Sequence, residues 1–382
     1  MIFLLAVLCF LYVPVIGWLL IGALKLPRFT TNKVSPSTKF SIVIPFRNEA
    51  ENLEALLQSL YKLDYPSELY EVIFVDDDST DASVPKIEQF TDAYQVKSGF
   101  KNVIALRIIQ NKRYSNSPKK DAISAAVKVA KNEWIVSTDA DCVVPSGWLR
   151  WYDQCIQKKQ PKMVCGPVVY PSSVDLVSAF QVQDGLSLQL VTMGSFGWKQ
   201  PLISNGANMA YLKRAFVEVK GYHGNNHIAS GDDVFLLGKF RRKYPSHVHY
   251  LKNKEATVET QAESSWKSVL AQRIRWASKT SRQKSGEAKF LGLIVFLTNF
   301  AFLMAMTLVC VQPGYFKLFL AFVCIKLGID LAVIYVASHF LEKRFSIPGY
   351  LIMAFFYPFI AVWVVLNSLT GNYRWKERTF KK

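Results

Sequence analysis

The sequence predicts an α/β domain built on a parallel sheet and set between apolar helices long enough to cross a membrane. Three observations predict it. Between residues 38 and 262, short β-branched runs alternate with segments of helical spacing, the pattern of strands covered on both faces by crossover helices. Residues 1–24 carry no charge, and three further apolar runs, 290–311, 316–339 and 347–369, each come near the ~20 residues a spanning helix needs. Hydrophobic residues make up 51% of the 382, and the mean hydropathy of +0.14 exceeds that of an ordinary soluble enzyme.

The apolar N-terminal run is followed, not preceded, by Lys25 and Arg28. It therefore reads as an uncleaved anchor and not a signal peptide, and the basic residues after it place the next domain in the cytosol. The expected division is an anchor at 1–24, a cytosolic catalytic domain at 38–262, an amphipathic interfacial helix at 263–285, a membrane region at 290–370 and a basic tail at 371–382. Four full spans would return the tail, with Arg374, Lys376 and Arg378, to the outside. The positive-inside rule wants it in the cytosol. Either one apolar run is re-entrant or interfacial, or the tail lies outside against the rule. Within the third run Lys326 and Asp330 are spaced to pair on one helical face, which lowers the cost of both in lipid.

The formal charge of +17 fits anionic headgroups or a phosphorylated substrate. No motif for reading nucleic acid accompanies it. The six cysteines form no C-x-x-C pair, which points to neither a disulfide framework nor a zinc site.

Inside the middle domain the expected order is a strand at 39–45, a helix at 48–62 carrying Leu53, Leu56, Leu57 and Leu60, and strands at 70–75 and 102–109. A helix at 121–130 and a strand at 133–138 follow. Ligands of such sheets sit at the carboxyl ends of the strands. Polar groups follow three of them: Arg47-Asn48-Glu49, Asp76-Asp77, and Asp139 with Asp141. Hard carboxylate oxygens suit Mg2+ or Mn2+, ions usually held by one or two carboxylates plus substrate phosphates. Asp232-Asp233 reads either as a helix N-terminus, where acids are favoured, or as the source of a general base for an acceptor hydroxyl. The basic helix at 264–282 carries Gln272-Arg273-Ile274-Arg275-Trp276. It suits a headgroup-level helix and equally an Arg fork on a leaving diphosphate, with Trp276 stacked on an acceptor. Lys119 and Lys120 belong either to a solvated turn or beside the phosphates.

Taken in order, Pro45-Phe46-Arg47-Asn48-Glu49, Val75 to Asp81, Thr138-Asp139-Ala140-Asp141, Gly231-Asp232-Asp233 and Gln272 to Trp276 resemble the membrane-bound branch of glycosyltransferase family 2. That branch holds cellulose-, hyaluronan- and poly-N-acetylglucosamine-synthase-like enzymes and ceramide glucosyltransferase. The resemblance implies a GT-A type, Rossmann-like domain with transmembrane helices at both ends, in a bacterial inner membrane with the catalytic domain facing the cytosol. It implies a nucleotide-sugar donor, most often a uridine diphosphate sugar, with Mg2+ or Mn2+ and inversion at the sugar carbon. By position, Pro45, Glu49, Asp76, Asp77 and Asp139 bind the nucleotide, with Lys120 near the phosphates, and Asp141 with Asp139 holds the metal. Asp233 is the general base, beside Asp232. Gln272, Arg275 and Trp276 match the terminal motif, with Arg275 at the diphosphate and Trp276 at the acceptor. The implied partners are a nucleotide sugar, a lipid or polysaccharide acceptor and membrane lipids, without nucleic acid. Channel-forming polymerases of this branch carry more membrane helices than this chain, which favours one or a few additions to a lipid or membrane-proximal acceptor. The alternatives are a processive synthase acting as an oligomer or with partner subunits, and a non-catalytic scaffold.

Overall fold

The domain assembles around β1 (Phe40–Phe46), whose apolar side chains are buried on both faces of the sheet. β1 pairs in parallel with β2 (Tyr70–Asp76) on one side and β4 (Trp134–Ser137) on the other, and β3 (Ala105–Gln110) adds in parallel outside β2. Beyond β4 the direction reverses. β8 (Met209–Leu212) runs antiparallel to β4 and to β6 (Met163–Cys165), and β9 (Val248–Tyr250) lies parallel to β6. The order is β3-β2-β1-β4-β8-β6-β9, a mixed sheet whose parallel half carries the acidic loops. A small sheet joins β5 (Cys142–Val143), β10 (Val258–Thr260) and β7 (Val168–Val169), and β11 (Tyr373–Trp375) pairs with β12 (Arg378–Phe380). The computed structural model describes residues 2–30, 34–97, 104–172, 175–226, 228, 230–280, 285–369, 373–375 and 378–380.

α2 (Leu53–Tyr61), α3 (Ser83–Lys97) and α4 (Pro118–Val129) connect the parallel strands, followed by α5 (Trp148–Lys159), α7 (Lys213–Glu218) and α8 (Asp232–Lys243). All four leucines expected on the core face of α2 are buried. α2 starts five residues later than its spacing predicts. Asn48 takes a left-handed φ of 50°, and residues 48–50 bond to the loop after β2 instead of winding. α4 starts earlier than expected, at Pro118, a residue preorganised for the first helical position. That places Lys119 and Lys120 inside the helix. β3 begins at Ala105, and the expected start at residue 102 falls outside the described residues.

α10 (Gly286–Val311), α11 (Phe316–Leu341) and α12 (Ile347–Leu369) are long and apolar enough to cross a membrane. α1 (Ile2–Lys25) is the apolar N-terminal helix, with a shorter stretch, Phe10–Lys25, among the described side chains. The tail charges expected at 374–378 lie outside the described side chains. An unexpected element is α6 (Leu176–Gly197), which receives α1. The two helices meet backbone to backbone: a Cβ on Gly194 would overlap the Leu19 carbonyl, and one on Gly197 would overlap that of Gly22. Small residues permit this approach between apolar helices. Trp18 stacks on Trp198 at 5.4 Å, Trp198 Nε1 donates to Trp18 O at 2.7 Å, and the Lys25 ammonium lies 3.9 Å from the Trp198 ring centroid. Gly194→Leu is therefore expected to destabilise the detergent-solubilised protein by ~1–3 kcal/mol through overpacking. A lowered melting temperature checks this, and an unchanged one would show that α1 is not held by this contact.

Candidate active site

The loops after β1 and β2 are laced into one rim. Arg47 Nη1 donates to the Asp77 carbonyl at 2.8 Å and to that of Asp78. Asn48 Oδ1 accepts from Thr80 N at 2.8 Å, and Glu49 N donates to Ser83 Oγ at 2.8 Å. Asn48 and Asp78 both take positive φ, a conformation that short polar side chains tolerate better than others. Glu49 accepts from Asn52 at 2.7 Å, and Pro45 sits within β1 opposite Val75. Asp76 is buried and accepts from Ser79 N at 2.9 Å and Gln110 Nε2 at 3.1 Å. Asp77 accepts from Asn111 Nδ2 and from Arg113 Nε, each at 2.7 Å. Asn111 also reaches the Pro118 carbonyl at 3.0 Å, which couples this rim to the start of α4.

From that start, Lys119 bridges two acidic loops. Its ammonium lies 2.6 Å from Asp139 Oδ1, after β4, and 3.2 Å from Asp232 Oδ2, at the N-terminus of α8. Burial works against the ammonium, but Asp139 and Asp232 overcome it and raise the Lys119 pKa. Burial likewise works against Asp232, and the charges of Lys119, Lys279 and Lys120 prevail, holding its carboxyl below the usual range. Gly206 leaves room for this pair, since a Cβ there would sit 2.8 Å from Asp232 Oδ2.

Lys120 faces elsewhere, which corrects its expected place at the phosphates. Successive helical residues point about 100° apart, so only one of the two lysines can face the acids. The buried Lys120 ammonium donates to the carbonyls of Asn225 (2.9 Å), Ile228 (2.6 Å) and Ser230 (3.0 Å). It braces the loop that delivers Asp232 and Asp233, and burial lowers its pKa to about 8. His223 lies in this loop; His227 falls outside the described residues.

α9 (Trp266–Thr280) closes the cleft. Lys279 approaches both carboxylate oxygens of Asp233 at 3.3 Å, and Val234 N donates to Asp233 Oδ1 at 2.7 Å. Gln272, Arg275, Trp276 and Lys279 recur at helical spacing, so the face bearing Lys279 also carries the motif residues. Gln272 accepts from Arg273 and donates to Glu263 at 3.1 Å. Arg273 is buried, pairs with Asp184 of α6 at 2.6 Å, and lies 4.2 Å from the Trp276 ring centroid. Of the two motif arginines, Arg275 is the half-buried one. The sequence reading missed Lys279, Arg113 and the Asp184–Arg273 pair. The available signal for Lys279 was its position one turn beyond Arg275.

Asp139 and Asp141 are the candidate metal ligands. Burial first, and the Asp139 charge second, push the Asp141 carboxyl up to about 6. Two carboxylates two residues apart, one pushed up by burial and the other already paired with Lys119, form a hard oxygen donor set that fits Mg2+ or Mn2+. Among the described residues no group of three or more His, Cys, Asp or Glu side chains forms a closed metal cage. An ion here would take its remaining ligands from substrate and water.

Residues 41–218 match the family model described as Glycosyl transferase family 2. The chain carries a family 2 glycosyltransferase domain. The matched segment includes the loops of Asp77, Asp139 and Asp141 and ends before Asp232. A poly(ribitol-phosphate) beta-glucosyltransferase of Bacillus spizizenii is 37% identical over 116 residues, 30% of this chain and 17% of that protein. A beta-monoglucosyldiacylglycerol synthase of Synechocystis is 26% identical over 148 residues, 35% of this chain and 29% of that protein. The chain thus spans a minor part of these relatives. A mannosyltransferase from Pyrobaculum calidifontis, solved with GDP-Man and Mn2+, superposes with a TM-score of 0.54 at 17% identity, covering 96% of this chain and 98% of that one. The fold is accordingly GT-A-like, as the family resemblance implied.

The raised Asp141 carboxyl has a thermodynamic consequence in the ligand-free family 2 domain. An acid whose folded pKa exceeds its unfolded value favours folding below the unfolded value, here 3.8, and that contribution is lost as pH rises through about 6. Asp141→Asn is expected to raise stability above pH 6 by on the order of 1–3 kcal/mol, with the gain vanishing near pH 4. Melting curves across that window in chelator check it, and a pH-independent difference would overturn it.

Proposed function

We propose that this protein is a membrane-bound, inverting glycosyltransferase with its catalytic domain on the cytosolic face. It transfers a sugar from a nucleotide diphosphate sugar, in the first instance a uridine diphosphate sugar, to a hydroxyl of a lipid or membrane-proximal acceptor. The observation that carries this reading is the meeting of Asp139 and Asp232, from separate elements, at one lysine, with Asp141 and Asp233 beside them. Diphosphate chemistry needs a metal-holding acid pair, and acceptor activation needs a separate base. The family 2 domain and three long apolar helices support the same reading.

In this reading the rim of Pro45, Glu49, Asp76 and Asp77 receives the nucleoside, and Arg113 stiffens it through Asp77. Asp233, oriented by Lys279, takes the acceptor proton while the acceptor oxygen attacks the anomeric carbon in line with the departing diphosphate. Asp232 is held by Lys119. Arg275 offers a planar fork to the leaving group, and Trp276 offers an aromatic face to the acceptor. A divalent ion, when held by Asp139 and Asp141, supplies the positive charge that neutralises the departing diphosphate.

A panel of nucleotide sugars incubated with membranes containing the chain, with and without Mn2+, is expected to show transfer from one donor class that requires the ion. Asp233→Asn is expected to lower kcat by ~10²–10⁴ with donor KM nearly unchanged. An Asp233→Asn protein as active as the parent would remove the base assignment. Transfer from no donor would remove the transferase reading. Arg275→Lys keeps the charge but loses the fork, and is expected to reduce kcat/KM by ~10-fold or more; an unchanged value would take the diphosphate away from Arg275.

A further inference from the structure

α1, α6, α11 and α12 enclose a partly open cavity of about 120 Å³, close in size to apolar cavities that accept a benzene-sized guest. Its wall is largely apolar, with polar groups that include Tyr12, Gln183, Asp184, Lys326, Asp330 and Tyr357. Every charge in that set is answered. Lys326 Nζ lies 2.6 Å from Asp330 Oδ2, and the Tyr12 hydroxyl donates to Asp330 Oδ1 at 2.5 Å. Asp184 receives Arg273 Nε at 2.6 Å. Counting Arg273, which pairs with Asp184 from outside the lining, two cations answer two carboxylates, so the site is electrically balanced. A phosphate entering this space would meet no uncompensated cation, and an unpaired buried anion is strongly disfavoured. An uncharged polar segment meets hydroxyl, amide and carboxylate groups with hydrogen-bonding capacity to share.

The cavity is also mechanically joined to the cleft. Asp184 holds Arg273, Arg273 lies against Trp276, and Lys279 on the same helix contacts Asp233. Lys279 is six positions beyond Arg273, a rise of ~9 Å along a helix. Asp184, which lines the cavity, and Asp233 are thus both contacted from a stretch of α9 less than two turns long.

We propose that this cavity is the acceptor port and that it selects a neutral lipid. The uncharged linkage region next to the acceptor hydroxyl sits among Tyr12, Gln183 and Asp184, the chains run out between the helices, and the hydroxyl passes Trp276 to Asp233. Lipids whose headgroup carries a phosphate are excluded by the balanced lining. This rests on the transferase reading for its last step only, because occupancy of the cavity is measurable without transfer.

The test uses the full chain in phosphatidylcholine nanodiscs and a diacylglycerol bearing a diazirine on one chain. Photolabelling is expected on α6, α11 and α12. Unlabelled diacylglycerol should compete at least ~10-fold better than phosphatidic acid with the same chains, equivalent to one decade in Kd. Ala354→Trp, which fills the cavity, is expected to reduce labelling by ~10-fold, and Val333→Phe serves as a second filling variant should the first fail to fold. Asp330→Asn leaves Lys326 uncompensated and is expected to shift the competition toward phosphatidic acid. Equal competition by phosphatidic acid in the parent protein would overturn the selection of neutral lipids. Labelling that survives both filling variants would overturn the port. A failed donor panel with this labelling pattern intact would remove the transferase reading and leave the lipid site standing.

Discussion

Carboxylates that meet at one edge of a sheet repel one another, and the cleft exists because lysines from two other elements enter among them. Lys119 joins Asp139 to Asp232 across 93 residues of chain, and Lys279 approaches Asp233 from α9. None of these pairs is worth much as a contribution to stability, since desolvating the charges offsets most of their attraction. Their effect is positional. Removing one partner would leave a partly buried charge uncompensated, so the acids and lysines depend on one another for their placement.

Lys120 does the complementary work on the backbone. Three carbonyls converge on its ammonium, and the loop they belong to ends at Gly231, whose φ of 82° lets the chain turn into α8. Two adjacent residues of α4 thus control the acid pair from both sides, one through its side chains and one through the loop that carries it. The Asp77 rim is tied to the same helix through Asn111. α4 is therefore the element through which the Asp77 rim and the loop carrying Asp232 and Asp233 keep a common position.

The membrane helices are not a detachable anchor. α6 receives α1 through glycine contacts, carries the Asp184 that holds Arg273, and contributes to the cavity shared with α11 and α12. α9 then runs from that junction to Asp233. Displacement of the apolar helices would be felt at Asp233 through side-chain contacts on one helix.

Much of the architecture is legible in the sequence because it is encoded locally. Alternating strands and helices, the four leucines of α2, the apolar spans, and acids directly after β2 and β4 all follow from periodicities of two and 3.6 residues and from runs of hydropathy. The rest depended on which side chains meet across long separations. Local spacing could not say that Lys119 and not Lys120 faces the acids, that Lys279 extends the Gln272–Trp276 face to Asp233, or that α2 begins only after residues 48–50 have bonded to the neighbouring loop. Nor could it reveal that α6 joins α1 to α9. Those outcomes are decided by electrostatic balance and packing between elements distant in the chain, and only the assembled tertiary structure brings the opposing charges within reach of one another.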